Sequence, residues 1–149
     1  MNETLVTVRY AETDRMGIVH HAVYPVWYEE GRSAYFRALG LPYSAIEELG
    51  LFTPLSQLGC KFVRSCTYED VLTVRTVIER LTPARIRFGY AVLRQGEMRP
   101  ISTGFTEHGF VGRDMRPLSV KKCFPQLWRQ LEKAAAADAD LDLTRPTDR

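Results

Sequence analysis

The sequence has few cysteines, no long apolar run and no strong excess of either charge. Its three cysteines, Cys60, Cys66 and Cys123, are an odd and sparse set. Such a set is not a disulfide framework and favours a reducing compartment. No apolar run approaches the roughly 20 residues needed to span a bilayer. The acidic start, MNETLVTVRYAETDR, also lacks the apolar core of a signal peptide. We therefore expect a cytoplasmic protein with no membrane span.

The charge balance and the absent motifs exclude several function classes. A net charge of +2 is too mild to argue for nucleic acid, and it suits an anionic small molecule equally well. The sequence contains neither of the two glycine-rich nucleotide motifs, G-x-x-x-x-G-K-[ST] and G-x-G-x-x-G. It also lacks the G-x-S-x-G elbow, which disfavours a serine hydrolase. Metal-ligand spacings are missing too, so we expect no metal and no redox cofactor.

The length of 149 residues fits one domain with a core of its own. Low complexity appears only near the end, in AAAADADLDLTRPTDR. We assign residues 1–137 to the domain. Residues 138–149 are acidic, then Pro-containing and polar, which predicts a disordered C-terminal tail.

Hydrophobic periodicity predicts one long helix among several strands. Apolar residues from Tyr24 to Leu39 recur at helical spacing, with Pro25 near the first turn and Gly40 at the stop. Ala11–His21 has no sustained period and reads as a loop. The other predicted elements are strands at Thr4–Tyr10, Leu58–Val63, Val71–Leu81, Arg85–Arg94 and Ile101–Val111, and helices at Tyr43–Leu49 and Phe124–Ala137.

This order of elements indicates an α+β fold. The last three strands are joined by short turns, so they are antiparallel neighbours. The long helix is apolar on most sides, which is typical of a buried helix. We therefore expect a curved sheet that wraps around it. Gly31, in mid-helix among aromatic residues, predicts a close approach by another element.

The densest polar stretch lies just before the long helix, in YAETDRMGIVHHAVYPVWYEEGR from Tyr10 to Arg32. Free N–H groups and the helix dipole make a helix N-terminus favourable for negative charge. A thioester oxygen that becomes an oxyanion would be stabilised there. Asp14 lies on the loop that leads to this terminus. Its carboxylate could act as a general base on water or attack the carbonyl carbon itself.

The motif Tyr10-x-x-Thr13-Asp14-x-x-Gly17-x-Val19-x-His21-x-x-Tyr24, with Glu29 and Arg32 behind it, makes the resemblance specific. It resembles the signature of the 4-hydroxybenzoyl-CoA thioesterase-like hotdog family, and within it the Tol-Pal-associated acyl-CoA thioesterases. The strong match covers about twenty residues. A weaker match in element order extends to Leu118.

The resemblance implies a hotdog fold, with about five antiparallel strands wrapped around one central helix. It implies that Asp14 is the catalytic carboxylate and that the backbone N–H of His21 meets the thioester oxygen. It also implies a homodimer or homotetramer whose sites are shared between subunits, with Leu58–Arg64 contributed by the partner. The predicted substrate contacts are Gly17, Val19, Tyr24, Tyr28, Lys61 and Arg64, the last two towards coenzyme A phosphates. One departure is Cys66, where many relatives have proline, and it bears on the shape of the coenzyme A groove.

Several residues keep simpler interpretations. Asp14 could cap a turn, and His21 could be a structural histidine rather than a proton-transfer group. Glu29 is a rival catalytic carboxylate, although it could equally belong to the polar face of the helix, as could Glu30. Arg32 is expected to pair with Glu29 or Glu12. The remaining candidates are expected to be structural: His20, which cannot share a zinc site with His21, and Cys60 and Cys66, which are expected to pack.

The sequence thus predicts a thioesterase that hydrolyses a small acyl-CoA, short-chain or aromatic, to the free acid and CoA. One alternative is a hotdog dehydratase, a lyase acting on 3-hydroxyacyl thioesters. That class usually pairs a helix glutamate with a loop histidine, and the signature Tyr10-x-x-Thr13-Asp14-x-x-Gly17 is not its pattern. The other alternative is a non-catalytic acyl-CoA- or protein-binding module. Asp14 argues against it, because a carboxylate at a buried edge is costly unless it is used. The acyl group and its carrier, coenzyme A or acyl carrier protein, stay open.

Overall fold

One five-stranded antiparallel sheet and four helices, two of them long, build the described part of the protein. The structure is a computed structural model, and it describes residues 1–145. The strands are β1 (Asn2–Thr7), β2 (Leu55–Phe62), β3 (Val71–Thr82), β4 (Arg85–Arg94) and β5 (Pro100–Gly109). The helices are α1 (Tyr24–Ala38), α2 (Tyr43–Glu48), α3 (Val120–Cys123) and α4 (Pro125–Asp138), with short 3-10 turns at Tyr10–Glu12 and His21–Val23.

The sheet has the strand order β1-β3-β4-β5-β2, and each neighbouring pair is antiparallel. The predicted meander is therefore β3-β4-β5, with β1 and β2 at the two edges. β1 ends three residues earlier than predicted, because the N–H and C=O of Val8 bond to Asp70 and Glu69 instead of to the ladder. β2 begins three residues earlier than predicted, at Leu55. The expected α+β architecture is confirmed.

The helix α1 packs its aromatic face against this sheet. Tyr28 is fully buried and its ring stacks on Tyr90 of β4, with ring centres 4.5 Å apart. Gly31 lies too close to the sheet for a side chain to fit. A Cβ atom there would lie 2.6 Å from Oγ1 of Thr76 and 2.8 Å from a methyl group of Val74. The predicted close approach is therefore a strand, β3, and glycine permits it.

Helix α4 reaches the part of β3 that β1 leaves unpaired. β1 pairs with β3 only as far as Thr76. Just beyond, the buried carboxylate of Asp138 accepts hydrogen bonds from the Ile78 N–H at 2.9 Å and from the Tyr35 hydroxyl at 2.6 Å. Asp138 thus belongs to the packed domain, one residue past the predicted boundary. The disorder of the tail stays a prediction, and residues 146–149 lie outside the described residues. In the described chain, no helix combines the length and apolarity needed to span a membrane.

Candidate active site

The loop that carries Asp14 is a closed, hydrogen-bonded turn. Thr13 and Val19 form an antiparallel bridge. Inside it, the Asp14 N–H donates to the Ile18 carbonyl at 2.9 Å, and the Gly17 N–H donates to the Asp14 carbonyl at 2.9 Å. Gly17 adopts a φ of 76°, the left-handed conformation that favours glycine. The stretch read as an irregular loop is therefore ordered by its own backbone.

Only one oxygen of the Asp14 carboxylate accepts a hydrogen bond within residues 1–145. Its Oδ1 accepts a hydrogen bond from the Met16 N–H at 2.8 Å, the Asx turn that the simpler interpretation anticipated. Within residues 1–145, Oδ2 has no hydrogen-bond partner. The residue is half-buried. The turn therefore fixes the direction of the carboxylate and leaves one oxygen free for a water molecule or a carbonyl carbon.

Glu12 anchors both ends of this loop, a role that the sequence did not reveal. Its buried carboxylate accepts from the Arg9 N–H at 2.8 Å, the Arg9 guanidinium at 2.9 Å and the indole N–H of Trp27 at 3.3 Å. Its backbone carbonyl accepts from the His20 N–H at 2.9 Å. Glu12 thus ties the loop to α1 through Trp27 and closes the loop through His20.

A cavity of about 310 Å³ opens between this loop and the end of β2. The segment after β2 holds the loop in place. The Val19 N–H donates to the Cys66 carbonyl, and the Thr67 hydroxyl donates to the Gly17 carbonyl, each at 2.9 Å. The lining is mostly apolar around one carboxylate and one imidazole: Asp14, Met16, Ile18, Val19, His21, Tyr24, Phe62, Val63, Arg64 and Ser65.

His21 stands at the entrance to α1 with a free backbone donor. The N–H groups of His20, Ala22 and Val23 donate to Glu12, to the His20 ring and to the His20 carbonyl. The N–H of His21 has no acceptor within residues 1–145. Its exposed imidazole lies against the ring of His20, whose Nδ1 caps Ala22. The structure therefore shows a capping role for His20 and an unsatisfied donor at His21.

The predicted substrate contacts divide into three groups. Val19 and Tyr24 line the cavity, and Gly17 shapes its loop. Arg64 also lines it, but its guanidinium is already bound to the Glu97 carboxylate and the Arg99 carbonyl, both at 2.5 Å. Two residues are not brought to this cavity. Tyr28 is buried in the core, and Lys61 lines a separate 660 Å³ cavity with Phe105 and Glu79.

Another, smaller cavity of about 200 Å³ lies farther along α1. It holds the rival carboxylate, Glu29. Arg32 lines it as well, and the predicted pairing of Arg32 with Glu29 or Glu12 is wrong. The Arg32 guanidinium lies 3.3 Å from Nε2 of His108, while Glu12 pairs with Arg9. The cause is that the guanidinium turns towards the sheet rather than along the helix.

His108 is held as a neutral imidazole. Its Nδ1 lies 2.9 Å from the Thr53 carbonyl, which can only accept, so Nδ1 carries the proton. Nε2 then accepts from Arg32 and from the Thr106 hydroxyl at 3.0 Å. Burial, followed by the charge of Arg32, lowers the pKa of His108 to about 4, despite the bond to Thr53. This histidine carries no charge near neutral pH.

Other titratable groups near the first cavity are inert. Burial, and next a hydrogen bond with Cys66, raises the pKa of Tyr24 far above its usual value. Burial likewise raises the pKa of the Cys60 and Cys66 thiols, against hydrogen bonds from Tyr28 and Tyr24. A protonated thiol is a poor nucleophile, so the cysteines fit their expected packing role. In this cavity Asp14 has a free carboxylate oxygen and His21 is a residue with a free backbone N–H, and both suit thioester chemistry. Ser65 also lines the cavity, but within residues 1–145 its hydroxyl has no hydrogen bond to a base that would activate it.

Fold and motif together define the class: an α+β hotdog-type domain with the Asp14 loop at the start of its central helix. The family model of the thioesterase-like superfamily matches residues 8–142. The chain belongs to this superfamily. A Bacillus subtilis protein named "Putative acyl-CoA thioesterase YneP" is 35% identical over 131 residues, which are 87% of this chain and 94% of that protein. The acyl-CoA thioesterase YbgC of Haemophilus influenzae is 30% identical over 90 residues, 60% of this chain and 66% of that one.

Solved structures agree on the architecture. The DHNA-CoA thioesterase of Staphylococcus aureus superposes with a TM-score of 0.85 at 30% identity, covering 91% of each chain. The hypothetical protein TT1821 of Thermus thermophilus superposes with a TM-score of 0.82 at 34% identity, covering 90% of this chain and 99% of that chain. The predicted hotdog fold is therefore confirmed.

Proposed function

We propose that the protein hydrolyses acyl-CoA thioesters to the free acid and CoA, with Asp14 as the catalytic carboxylate. The observation that carries this proposal is one cavity that holds both a carboxylate with a free oxygen, on Asp14, and a residue with a free backbone N–H, His21. Hydrolysis of a thioester needs both functions. The names of the relatives, acyl-CoA thioesterases and a DHNA-CoA thioesterase, support the same reaction.

The two groups divide the chemistry between them. The His21 N–H donates to the carbonyl oxygen and stabilises the negative charge that develops there, helped by the dipole of α1. Asp14 as a base removes a proton from water while the water oxygen bonds to the carbonyl carbon. The carbon–sulfur bond then breaks, and the CoA thiolate leaves and takes up a proton. Asp14 as a nucleophile instead bonds to that carbon itself, releases the thiolate and forms an anhydride that water cleaves.

The lining of the cavity favours a small, apolar or aromatic acyl group. Tyr24 and Phe62 meet edge to face, with ring centres 5.1 Å apart, and Phe62 also meets the ring of His21 at 6.5 Å. Val19 completes an apolar wall. Flat or short acyl groups pack well against such rings. The carrier is proposed to be coenzyme A, with acyl carrier protein as the alternative. A place among the Tol-Pal-associated type remains a prediction, as does a cytoplasmic location.

We further propose that the active unit is a homodimer, or a homotetramer built from dimers. β2 is an edge strand, and its Leu55, Leu58 and Phe62 side chains are 53%, 41% and 51% exposed. An open edge with apolar side chains is a surface that proteins usually cover. Two β2 edges that pair would continue the sheet across a two-fold axis. They would also bring the Leu58–Arg64 segment of one subunit towards the Asp14 loop of the other.

A thiol-release assay with a panel of acyl-CoAs tests the activity. We expect turnover of short-chain or aromatic acyl-CoAs, and the preferred substrate also identifies the acyl group. Hydration or dehydration of a 3-hydroxyacyl-CoA or its 2-enoyl counterpart, without thiol release, would favour the lyase. Binding without either reaction would favour a non-catalytic module.

A complementation experiment tests the shared site. An Asp14→Asn chain is mixed with a chain altered at Leu58 and Lys61, which do not line the Asp14 cavity of their own chain, under conditions that exchange subunits. Mixed dimers contain one intact site, so part of the activity returns. No recovery despite exchange seen by mass spectrometry, or full activity in a verified monomer, would contradict the shared site.

A further inference from the structure

Helix α1 carries a cation, Arg32, that pairs with no anion among residues 1–145. The half-buried guanidinium of Arg32 bonds to a neutral group, Nε2 of His108, at 3.3 Å. Among residues 1–145 it forms no ion pair with a carboxylate. Because a cation partly removed from water is costly without a counter-ion, this arrangement favours an anion from outside the chain.

One turn earlier, the same helix carries an anion, Glu29, that has no partner in the described part of the chain. Glu29 is exposed at the same 200 Å³ cavity, and in the described chain its carboxylate makes no hydrogen bond or ion pair. Its neighbour Glu30 behaves differently, because it pairs with Arg37 at 3.5 Å on another side of the helix. The lack of a partner is therefore specific to Glu29 and is not shared by every acidic residue of α1.

Glu29 and Arg32 do not satisfy each other, although residues three apart on a helix can meet. The Arg32 guanidinium is held towards the sheet by His108 on β5. Both charges border apolar side chains that are also exposed, namely Val26 of α1 and Leu55 and Leu58 of the edge strand β2. We call this surface, made of Val26, Glu29, Arg32, Leu55 and Leu58, the α1–β2 strip.

We propose that the α1–β2 strip is covered by the same strip of a second copy, with Glu29 of each copy paired to Arg32 of the other. This proposal rests on the β2-edge dimer proposed above and adds its register. In a two-fold interface every contact occurs twice. If residue i of one copy contacts residue j of the other, then residue j of the first copy also contacts residue i of the second. A strip with one anion and one cation is then complementary to itself. The apolar side chains around the charges exclude water and strengthen both ion pairs.

Charge reversal in separate chains tests the pairing. Glu29→Lys places two cations opposite each other in a homodimer, and Arg32→Glu places two anions opposite each other. We expect either change alone to raise the dimer Kd about tenfold or more. A mixture of the two chains restores both opposite-charge pairs. Native mass spectrometry and sedimentation velocity should therefore show recovered dimers, with mixed dimers well above the statistical half.

Two further comparisons keep the test decisive. Arg32→Gln replaces Arg32→Glu if the reversed charge prevents folding, judged by circular dichroism. It should still prefer the Glu29→Lys chain, because one opposite-charge pair re-forms. The matched control is Glu30→Lys mixed with Arg37→Glu, which alters an exposed pair within one chain and should give mixed dimers at the statistical fraction.

Several results would overturn the pairing. Folded single variants that dimerise like the wild type would do so, as would mixed dimers at the statistical fraction. An Arg32 variant that raises the KM for an acyl-CoA without changing assembly would show that Arg32 binds a substrate anion instead. A wild-type monomer would remove both the pairing and the proposed dimer. Absence of thioesterase activity together with preferred mixed dimers would remove only the proposed reaction, so the two failures are distinguishable.

Discussion

Two carboxylates flank the first turns of α1, one in each of two neighbouring cavities. Within residues 1–145, Asp14 is fixed by its own turn, keeps one oxygen free and shares its cavity with His21, a residue whose backbone N–H is also free. Glu29 is exposed on the helix surface, and its cavity contains a guanidinium and a neutral imidazole, from Arg32 and His108. A carboxylate near the start of a helix is therefore not enough to identify a candidate active site. Its orientation and a donor for the oxyanion distinguish the two cavities.

The largest expected effect separates the two carboxylates directly. Asp14→Asn keeps the shape of the side chain and removes both the base and the nucleophile. We expect kcat/KM for acyl-CoA to fall about 10²- to 10⁴-fold, with folding unchanged. Glu29→Gln, assayed at a concentration at which sedimentation shows it to be a dimer, should retain the wild-type kcat within a few-fold. The opposite pattern, with Asp14→Asn active and Glu29→Gln inactive, would transfer the catalytic role to Glu29.

The second prediction separates the backbone of His21 from its side chain. His21→Pro removes the N–H, and proline suits the first residue of a helical turn after an extended residue such as His20, which has ψ of 138°. We expect kcat to fall about 10²- to 10³-fold, the usual loss when one oxyanion donor is removed. His21→Ala is the control and should lose much less. Equal losses in the two variants would assign the role to the imidazole.

The third prediction concerns protein stability and His108, which lines the same cavity as Glu29. The pKa of His108 lies at about 4 in the folded protein, below the usual 6.5. Between these values the unfolded chain binds a proton that the folded chain does not. The stabilisation is therefore complete above about pH 6.5 and decreases as the pH falls towards 4, by up to about 3 kcal/mol.

Urea unfolding between pH 7.5 and pH 4.5 measures this loss. His108→Gln cannot titrate, so its free energy of unfolding should vary less over this range than that of the wild type. Similar pH dependence in both proteins would show that other groups dominate.

The smallest expected effect is that of removing metal ions, which should not change the activity. Each cavity combines carboxylate and imidazole groups, so a metal requirement is worth testing in both. In residues 1–145 no three metal-binding side chains converge, and the proposed hydrolysis uses neither a metal nor a redox cofactor. Chelator treatment should leave the thiol-release rate unchanged. Loss of activity with a chelator and its return with added zinc would contradict the proposed mechanism.

Much of the fold could be predicted because periodicity reports local burial. The alternation in Arg85–Arg94 gave β4 with its observed bounds, and the aromatic stripe gave α1 to within one residue. Gly31 was informative for the same reason, since the close approach to Thr76 leaves no room for a side chain. The edges were harder to predict. β2 is exposed along most of its length, so its start at Leu55 left no alternating pattern to read.

The candidate site was predictable where it is continuous in sequence. The motif contained Asp14, Val19, His21 and Tyr24, and the structure brings them to one cavity. Contacts between distant segments were not predictable. Neither the hydrogen bond that Trp27 donates to Glu12 nor the ion pair of Arg64 with Glu97 follows from spacing. Tyr28 was predicted to contact substrate, because its position on the helix is compatible with either the pocket or the core. In the structure its ring stacks on Tyr90 in the core.

The bonds of Glu12 have a consequence for the thermodynamics of turnover. The Asp14 loop is ordered by contacts within the chain, from Glu12 to Trp27 and His20 and from Gly17 to Thr67. Its conformational entropy is therefore lost once, when the protein folds, and not each time a substrate arrives. Substrate binding then carries little ordering cost from this loop, and more of the free energy of binding remains for holding the thioester against the carboxylate.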